Sequence, residues 1–319
     1  MIKQRRIGLA LGSGSARGWA HIGVLRALQR AGIEADIVCG SSIGAVVGAV
    51  YAAGKLEVFE EWARRLDRRQ VMSYFDFSLR GGLIKGRKVF EFVEAQLSGR
   101  AIESLPRPYA AVATDLRTGS EVWLRDGLLL DSLRASVALP GLVTPVSLGG
   151  RWLVDGGLVN PVPISLCRAM GADLVIAVDL NTVLLTRRFH GDGHSTVEDS
   201  STAALDTATE TPPKPDSSMQ TRMRELAADL GQRFRRADAG AREQPPSVYE
   251  VIANSLDIMQ MRITRSRMAG DPPELLITPR LEDFNLLDFY RAGEAIAEGE
   301  QAVARALAAA PPAWLDPIG

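Results

Sequence analysis

The stretch Gly40-Ser41-Ser42-Ile43-Gly44 constrains this chain more than any other. An apolar run of strand length, residues 35–39, precedes it, and a segment of small residues rich in Ala and Val, 45–53, follows. The second segment suits a tightly packed helix. Strand, sharp turn and helix around Gly-x-Ser-x-Gly is the setting of a nucleophile elbow. Ser42 would sit at a strained backbone angle, and a side chain at Gly40 or Gly44 would strike the neighbouring strand or helix. The hydroxyl would then lie at a helix N-terminus, where the dipole favours a developing negative charge. The same five residues also suit a plain turn between strand and helix, and the stretch alone does not choose between the two.

A second glycine-rich turn lies upstream. Residues 6–11 read as a buried parallel strand. The strand ends in Gly12-Ser13-Gly14-Ser15-Ala16-Arg17-Gly18, and a helix follows over about 19–31 with Ala20, Val24, Ala27 and Leu28 at helical spacing. Three readings compete for the loop. A dinucleotide fingerprint needs glycine at its sixth place, where Arg17 stands, with Gly18 one place late. A P-loop needs Gly-Lys-Ser/Thr, which is absent. The third is an oxyanion hole, with unhindered backbone N–H groups aimed at a substrate oxygen from a helix start. Adjacent parallel strands would bring this loop and Ser42 to the carboxyl edge of one sheet, where sites of α/β proteins lie.

Further along, residues 56–97 read as helical with interruptions: an amphipathic face of Phe59, Trp62, Ala63 and Leu66, an aromatic-bearing linker over 71–79, and a second face of Val89, Phe90, Val93 and Leu97. Arg80, Lys85, Arg87 and Lys88 form a basic cluster between them that suits a solvated loop or a phosphate contact, and the sequence does not choose between the two. Strands are expected at 109–114 and 121–124 around the turn Arg117-Thr118-Gly119. A helix over 128–139, a short strand over 152–154, a helix from Pro161 and Pro163 to Met170 and a strong strand over 174–180 complete the pattern. Alternating strands and helices argue for a mainly parallel α/β sheet.

Asp155-Gly156-Gly157 closes the short strand. An acid followed by two glycines is an ordinary turn. A serine nucleophile needs a base, however, and the chain has three histidines. His21 falls inside the first helix, and His190 and His194 fall in a polar stretch, so none suits a triad. A carboxylate bonded directly to the serine is the economical alternative, and Asp155 has the position for it.

Taken together and in order, the loop over 12–18, the stretch over 40–44 and Asp155-Gly156-Gly157 resemble the three motifs of patatin-like phospholipases. The run Arg134-Ala135-Ser136-Val137-Ala138-Leu139-Pro140 resembles a further stretch of that family. The similarity covers roughly 6–180, and the chain looks especially like bacterial members of the RssA-type branch, including its tail over 264–272. The resemblance implies a three-layer α/β/α patatin-like fold with a mainly parallel central sheet, a Ser–Asp dyad and acyl-ester hydrolysis of lipids. By position, Ser42 would be the nucleophile and Asp155 the base. Gly12, Ser13, Gly14 and Ser15 would be oxyanion candidates. Arg17, Gly18, Gly40, Gly44, Gly156 and Gly157 would support the motifs. Ser13 and Ser15 interrupt the unbroken glycine run of many relatives. No metal or organic cofactor is implied. The rival readings are a non-catalytic regulatory adaptor on the same fold and a nucleotide-binding α/β module.

Beyond residue 181 the character changes. Residues 182–246 form a polar insert, dominated over 190–218 by Ser, Thr, Asp, Glu and Pro, that reads as disordered. Within it, 219–237 places Met219, Met223, Leu226, Leu230 and Phe234 on one face and Arg222, Arg224, Arg233, Arg235 and Arg236 around it. That pattern suits a lid, a contact with an anionic membrane surface, packing on the protein body, or a segment that stays disordered. Residues 247–319 return to helix, with a stripe of Val248, Ile252, Leu256, Met259 and Ile263, a strand over 274–278 and an Ala-rich helix over 287–309, read as completing the domain begun over 6–181. Net charge is -1 from 37 basic and 38 acidic residues, which argues against a nucleic-acid partner. Cys39 and Cys167 sit in apolar surroundings without metal-ligand spacing and suit a reducing, cytoplasmic setting. Peripheral contact with the inner membrane surface fits the lipid substrate, and oligomeric state is not legible.

Overall fold

The computed structural model of the 319-residue chain describes residues 5–73, 87–181 and 248–309. By contacts, 1–191 and 251–319 make one unit and 192–250 another, and the second lies almost wholly outside the described residues. The expected disordered stretch, the amphipathic segment over 219–237, His190 and His194 all lie outside them.

Strand β1 (Ile7–Leu11) leads through a 3-10 turn, Ser15–Trp19, into helix α1 (Ala20–Arg30). Strand β2 (Ile37–Ser41) passes directly into α2 (Ile43–Ala52), and α3 (Leu56–Arg64) and α4 (Arg68–Ser73) follow. Helix α4 occupies the start of the expected linker, because Val71 is apolar enough to be drawn into the core. The remainder of that linker, with Arg80 and Lys85, lies outside the described residues, and Arg87 and Lys88 open helix α5 (Arg87–Leu97).

Strands β3 (Tyr109–Asp115) and β4 (Glu121–Leu124), helix α6 (Leu129–Ser136), and a hairpin of β5 (Val146–Leu148) and β6 (Arg151–Asp155) come next. Helix α7 (Ile164–Ala169) and strand β7 (Leu174–Val178) precede the undescribed insert. Helix α8 (Val248–Gly270), strand β8 (Leu275–Ile277) and helix α9 (Ala292–Ala309) follow it.

The central sheet is mostly parallel: β1, β2, β3, β7 and β8 run one way in the order β3-β2-β1-β7-β8. Strands β4 and β6 pair antiparallel with β3, and β5 antiparallel with β6. The pairs β3–β4 and β5–β6 are joined by short turns, which need no helical crossover and so permit the reversal within each pair. Successive strand residues point to opposite faces. Leu9, Leu11, Val38, Ala111 and Val178 join the larger core beneath α1, α2, α6 and α9. Ala10, Cys39, Val112 and Ala177 join a second core beneath α7. Helices cover both faces, giving the expected three layers.

Strand β8 appends to β7 in parallel, as the sequence suggested for that stretch. The apolar stripe along α8 behaves differently from its neighbours. Ile252 and Met259 are exposed, and the buried face instead carries Gln260, Met261 and Thr264. Gln260 turns inward there because it accepts from Ser13 Oγ and Asn181 Nδ2 at the carboxyl edge of the sheet. Among the described residues, no helix is long and apolar enough to cross a membrane.

Candidate active site

Strands β1 and β2 are parallel neighbours, Leu11 beside Gly40, so the glycine loop and the elbow emerge together at the carboxyl edge. Ser42 is the N-cap of α2 and holds φ 55° and ψ -126°, a left-handed backbone that costs a non-glycine residue on the order of 1–3 kcal/mol. The turn survives because its surroundings leave no room to relax. A Cβ on Gly40 would lie against the backbone of Ala45, and one on Gly44 against the carbonyl oxygens of Leu11 and Gly12. Ser42 N–H donates to Ser136 Oγ at 3.0 Å, which pins the elbow from the side of α6.

Ser42 Oγ donates to Asp155 Oδ2 at 2.6 Å. The second oxygen, Oδ1, accepts from Gly157 N–H at 2.7 Å. The Asp155 backbone is held as firmly: its N–H donates to Ala138 O at 3.0 Å, and its carbonyl accepts from Thr114 Oγ1 at 2.8 Å. Burial of Asp155, 1% exposed, raises its carboxyl to about 6 against the opposing effect of the Ser42 and Gly157 bonds. Such a carboxylate is ionised at neutral pH yet basic enough to accept a proton. Ser136 and Ala138 both fall in the 134–140 run. Its sequence resemblance marked the run but could not show that one residue holds the serine and another the aspartate.

The glycine loop contributes unequally. Gly12 N–H donates to Val178 O at 3.0 Å, and Ser13 N–H to Pro161 O at 2.9 Å. Those two amides are committed to holding the loop on the sheet and are not free to receive an oxyanion. Among the described residues, the N–H groups of Gly14 and Ser15 have no acceptor. Gly14 and Ser15 also line the cavity that reaches Ser42.

Arg17, 1% exposed, anchors the loop from behind: its Nε donates to Gly14 O at 3.2 Å and its Nη2 pairs with Asp257 Oδ1 of α8 at 2.8 Å. Gln260, one turn further along α8, accepts from Ser13 Oγ at 2.7 Å and from Asn181 Nδ2 at 3.0 Å. Asp257 and Gln260 were not marked in the sequence, because a loop contact across 240 residues leaves no local pattern. Gly18 packs against the Ile43 side chain and Gly156 against the Val112 carbonyl, so both motif glycines sit where chains cross.

His21 stands apart from the pair. It is fully buried and its Nε2 donates to Gly12 O at 2.8 Å, while burial lowers its pKa to about 4. Cys39 and Cys167 are both buried and free, and burial pushes the Cys39 thiol well up.

A cavity of about 150 Å³ opens beside Ser42. Its walls are mainly aliphatic, with Val46, Leu66, Val71, Leu142, Val143 and Leu286 among them, and Gly14, Ser15 and Gln260 at the polar end. An apolar chain attached to a polar acyl group fits that division.

The family described as patatin-like phospholipase matches residues 9–168. An uncharacterised NTE family protein of Mycobacterium tuberculosis is 35% identical over 330 residues, covering 95% of this chain and 92% of the relative. Patatin-like phospholipase domain-containing protein 6 of Homo sapiens is 36% identical over 187 residues, 55% of this chain and 13% of that protein. VipD from Legionella pneumophila superposes with a TM-score of 0.46 at 12% identity, covering 96% of this chain and 67% of its own. The class is that of α/β proteins with a serine hydrogen-bonded to a carboxylate at the carboxyl edge of the sheet. The chain belongs to the patatin-like phospholipase family, whose general chemistry is lipid hydrolysis.

Proposed function

We propose that this protein is a serine esterase of acyl lipids, of phospholipase A or lysophospholipase type, working through an acyl-enzyme. Asp155 accepts the Ser42 hydroxyl proton as Oγ attacks the ester carbonyl. The negative oxygen of the tetrahedral intermediate is received by Gly14 and Ser15 N–H, and losing one such donor typically costs about 3 kcal/mol. Collapse breaks the ester bond, and the Asp155 proton passes to the departing alcohol oxygen. The acyl chain, now on Ser42, lies along the aliphatic wall of the cavity. Asp155, a carboxylate again, takes a proton from water as that water attacks the acyl carbonyl. Fatty acid leaves and Ser42 recovers its proton.

The observation that carries this reading is the 2.6 Å bond from Ser42 Oγ to Asp155 Oδ2 on a strained elbow beside an apolar cavity. Strain of this kind is maintained only when the surroundings fix it, and it holds the nucleophile ready for attack. A fluorophosphonate should label Ser42, found by mass spectrometry of the digested protein. Ser42→Ala should abolish both labelling and hydrolysis in a screen of acyl esters. Full hydrolysis by purified Ser42→Ala protein would overturn the reading.

A further inference from the structure

Helix α8 has two faces with opposite characters. Leu256, Asp257 and Gln260 line the cavity beside Ser42. Across the helix, Val251, Ile252, Ile258 and Met259 are exposed at 47%, 50%, 41% and 49%. At 100° per residue these four and Ser255 share one side, and Arg262 and Arg265 extend it towards the C-terminus. Four large exposed apolar side chains, in two pairs two turns apart on one side of a helix, exceed the scattered exposure of an ordinary surface. The carboxylate nearest Arg262 along the helix, Asp257, points the other way to Arg17. Among the described residues, Arg262 and Arg265 have no acidic partner and no acid stands on this side of α8.

We propose that this face of α8 docks on an anionic lipid surface, with Val251, Ile252, Ile258 and Met259 entering the acyl boundary and Arg262 and Arg265 meeting lipid phosphates. Apolar side chains beside unpaired arginines match the two layers of such an interface, hydrocarbon and anionic headgroup. A second protein chain would need carboxylates opposite the arginines, and an anionic bilayer supplies that charge over its whole surface. The position adds a reason. One helix diameter, about 10 Å, separates the docking face from the cavity beside Ser42, which keeps the proposed site close to the docked surface. The inference rests on the esterase reading for its purpose, though not for the docking itself.

The test is flotation of the full-length protein with phosphatidylcholine vesicles, with and without phosphatidylglycerol, beside hydrolysis of a soluble short-chain ester. Wild type should float with the anionic vesicles. Ile252→Asp/Met259→Asp should lower the bound fraction about tenfold and slow hydrolysis of vesicle lipid, with soluble-ester hydrolysis unchanged. Arg262→Glu/Arg265→Glu should erase the preference for phosphatidylglycerol. Docking is overturned if wild type fails to float, or if the double aspartate variant floats as wild type does. It is equally overturned if wild type is a dimer by sedimentation and that variant a monomer, since a second copy then covers the face. Flotation that follows the expected pattern in a protein inert on every ester would uphold the docking and reject the esterase reading.

Discussion

Ser42 and Asp155 reach each other from opposite directions along a single edge of β3. Val112 pairs with Ser41 on one side and Trp123 on the other, while Ala113 pairs with Asp155 on one side and Val122 on the other. Since β4 supplies both Trp123 and Val122, β2 and β6 must share the remaining edge. Strand β2 runs up to its end at Ser41, and β6, antiparallel, runs down to its end at Asp155. Two strand ends meet head to head, and the serine and carboxylate close the gap at 2.6 Å.

Asp155 sets the pH dependence of the proposed chemistry. Its carboxyl is raised to about 6 by burial, and only the ionised form can accept the Ser42 proton. kcat/KM for a neutral soluble ester should therefore rise with pH through about 6 and then level off. His21, held at about 4, is neutral throughout that range. His21→Gln should keep the same profile wherever the protein remains folded, and a lost acid limb in that variant would place the histidine in the mechanism.

The same shift predicts a cost in stability. A carboxyl whose folded pKa lies above its unfolded value of 3.8 favours the folded state fully below 3.8, and that advantage is lost as pH rises through about 6. Asp155→Asn removes the charge that burial penalises. It should be more stable to denaturant than wild type at pH 8, by about 3 kcal/mol, with no difference near pH 3. Hydrolysis should vanish in the same variant. Equal stabilities at pH 8 would mean the carboxylate is better compensated than its burial suggests.

Arg17 positions the amides of Gly14 and Ser15 through Gly14 O and its pair with Asp257. Arg17→Lys keeps the charge but cannot bond both partners in the same fork. Displaced amides would bind a developing oxyanion less well than the uncharged substrate. We expect kcat to fall up to about 100-fold with KM changing little, read from steady-state kinetics on a soluble ester. A rise in KM alone would assign Arg17 to substrate binding.

Gly44→Ala should be among the most damaging single changes. Its methyl would meet the carbonyl oxygens of Leu11 and Gly12, which are backbone and cannot turn aside. A loss of about 3 kcal/mol or more is expected in urea unfolding. Gly270→Ala, where nothing lies within 4 Å, serves as the control and should change stability little.

Local chemistry was legible before any coordinates. Small residues over 40–44 announced a turn too tight for side chains, and alternating strand and helix patterns announced the parallel sheet. The carboxylate beside two glycines was identifiable from its motif and from the shortage of suitable histidines. These readings depend on neighbours within a few residues, where spacing alone fixes geometry. The linker over 71–79 misled at its start because α4 is held by tertiary burial of Val71 rather than by its own pattern.

Other features needed the folded chain. Nothing near residue 155 says that β6 runs antiparallel and ends level with Ser41. Nor does the glycine loop reveal that Gly12 and Ser13 spend their amides on Val178 and Pro161 and leave those of Gly14 and Ser15. Asp257 and Gln260 lie some 240 residues from the loop they hold, and Ile252 and Met259 look in sequence like core. Sequence by itself determined which residue types could do the chemistry, because turns and strands are set by local sterics and periodicity. Tertiary structure alone decided which donors are spent, which are left, and which apolar side chains face outward. Those outcomes depend on contacts between segments whose separation along the chain carries no record of their meeting.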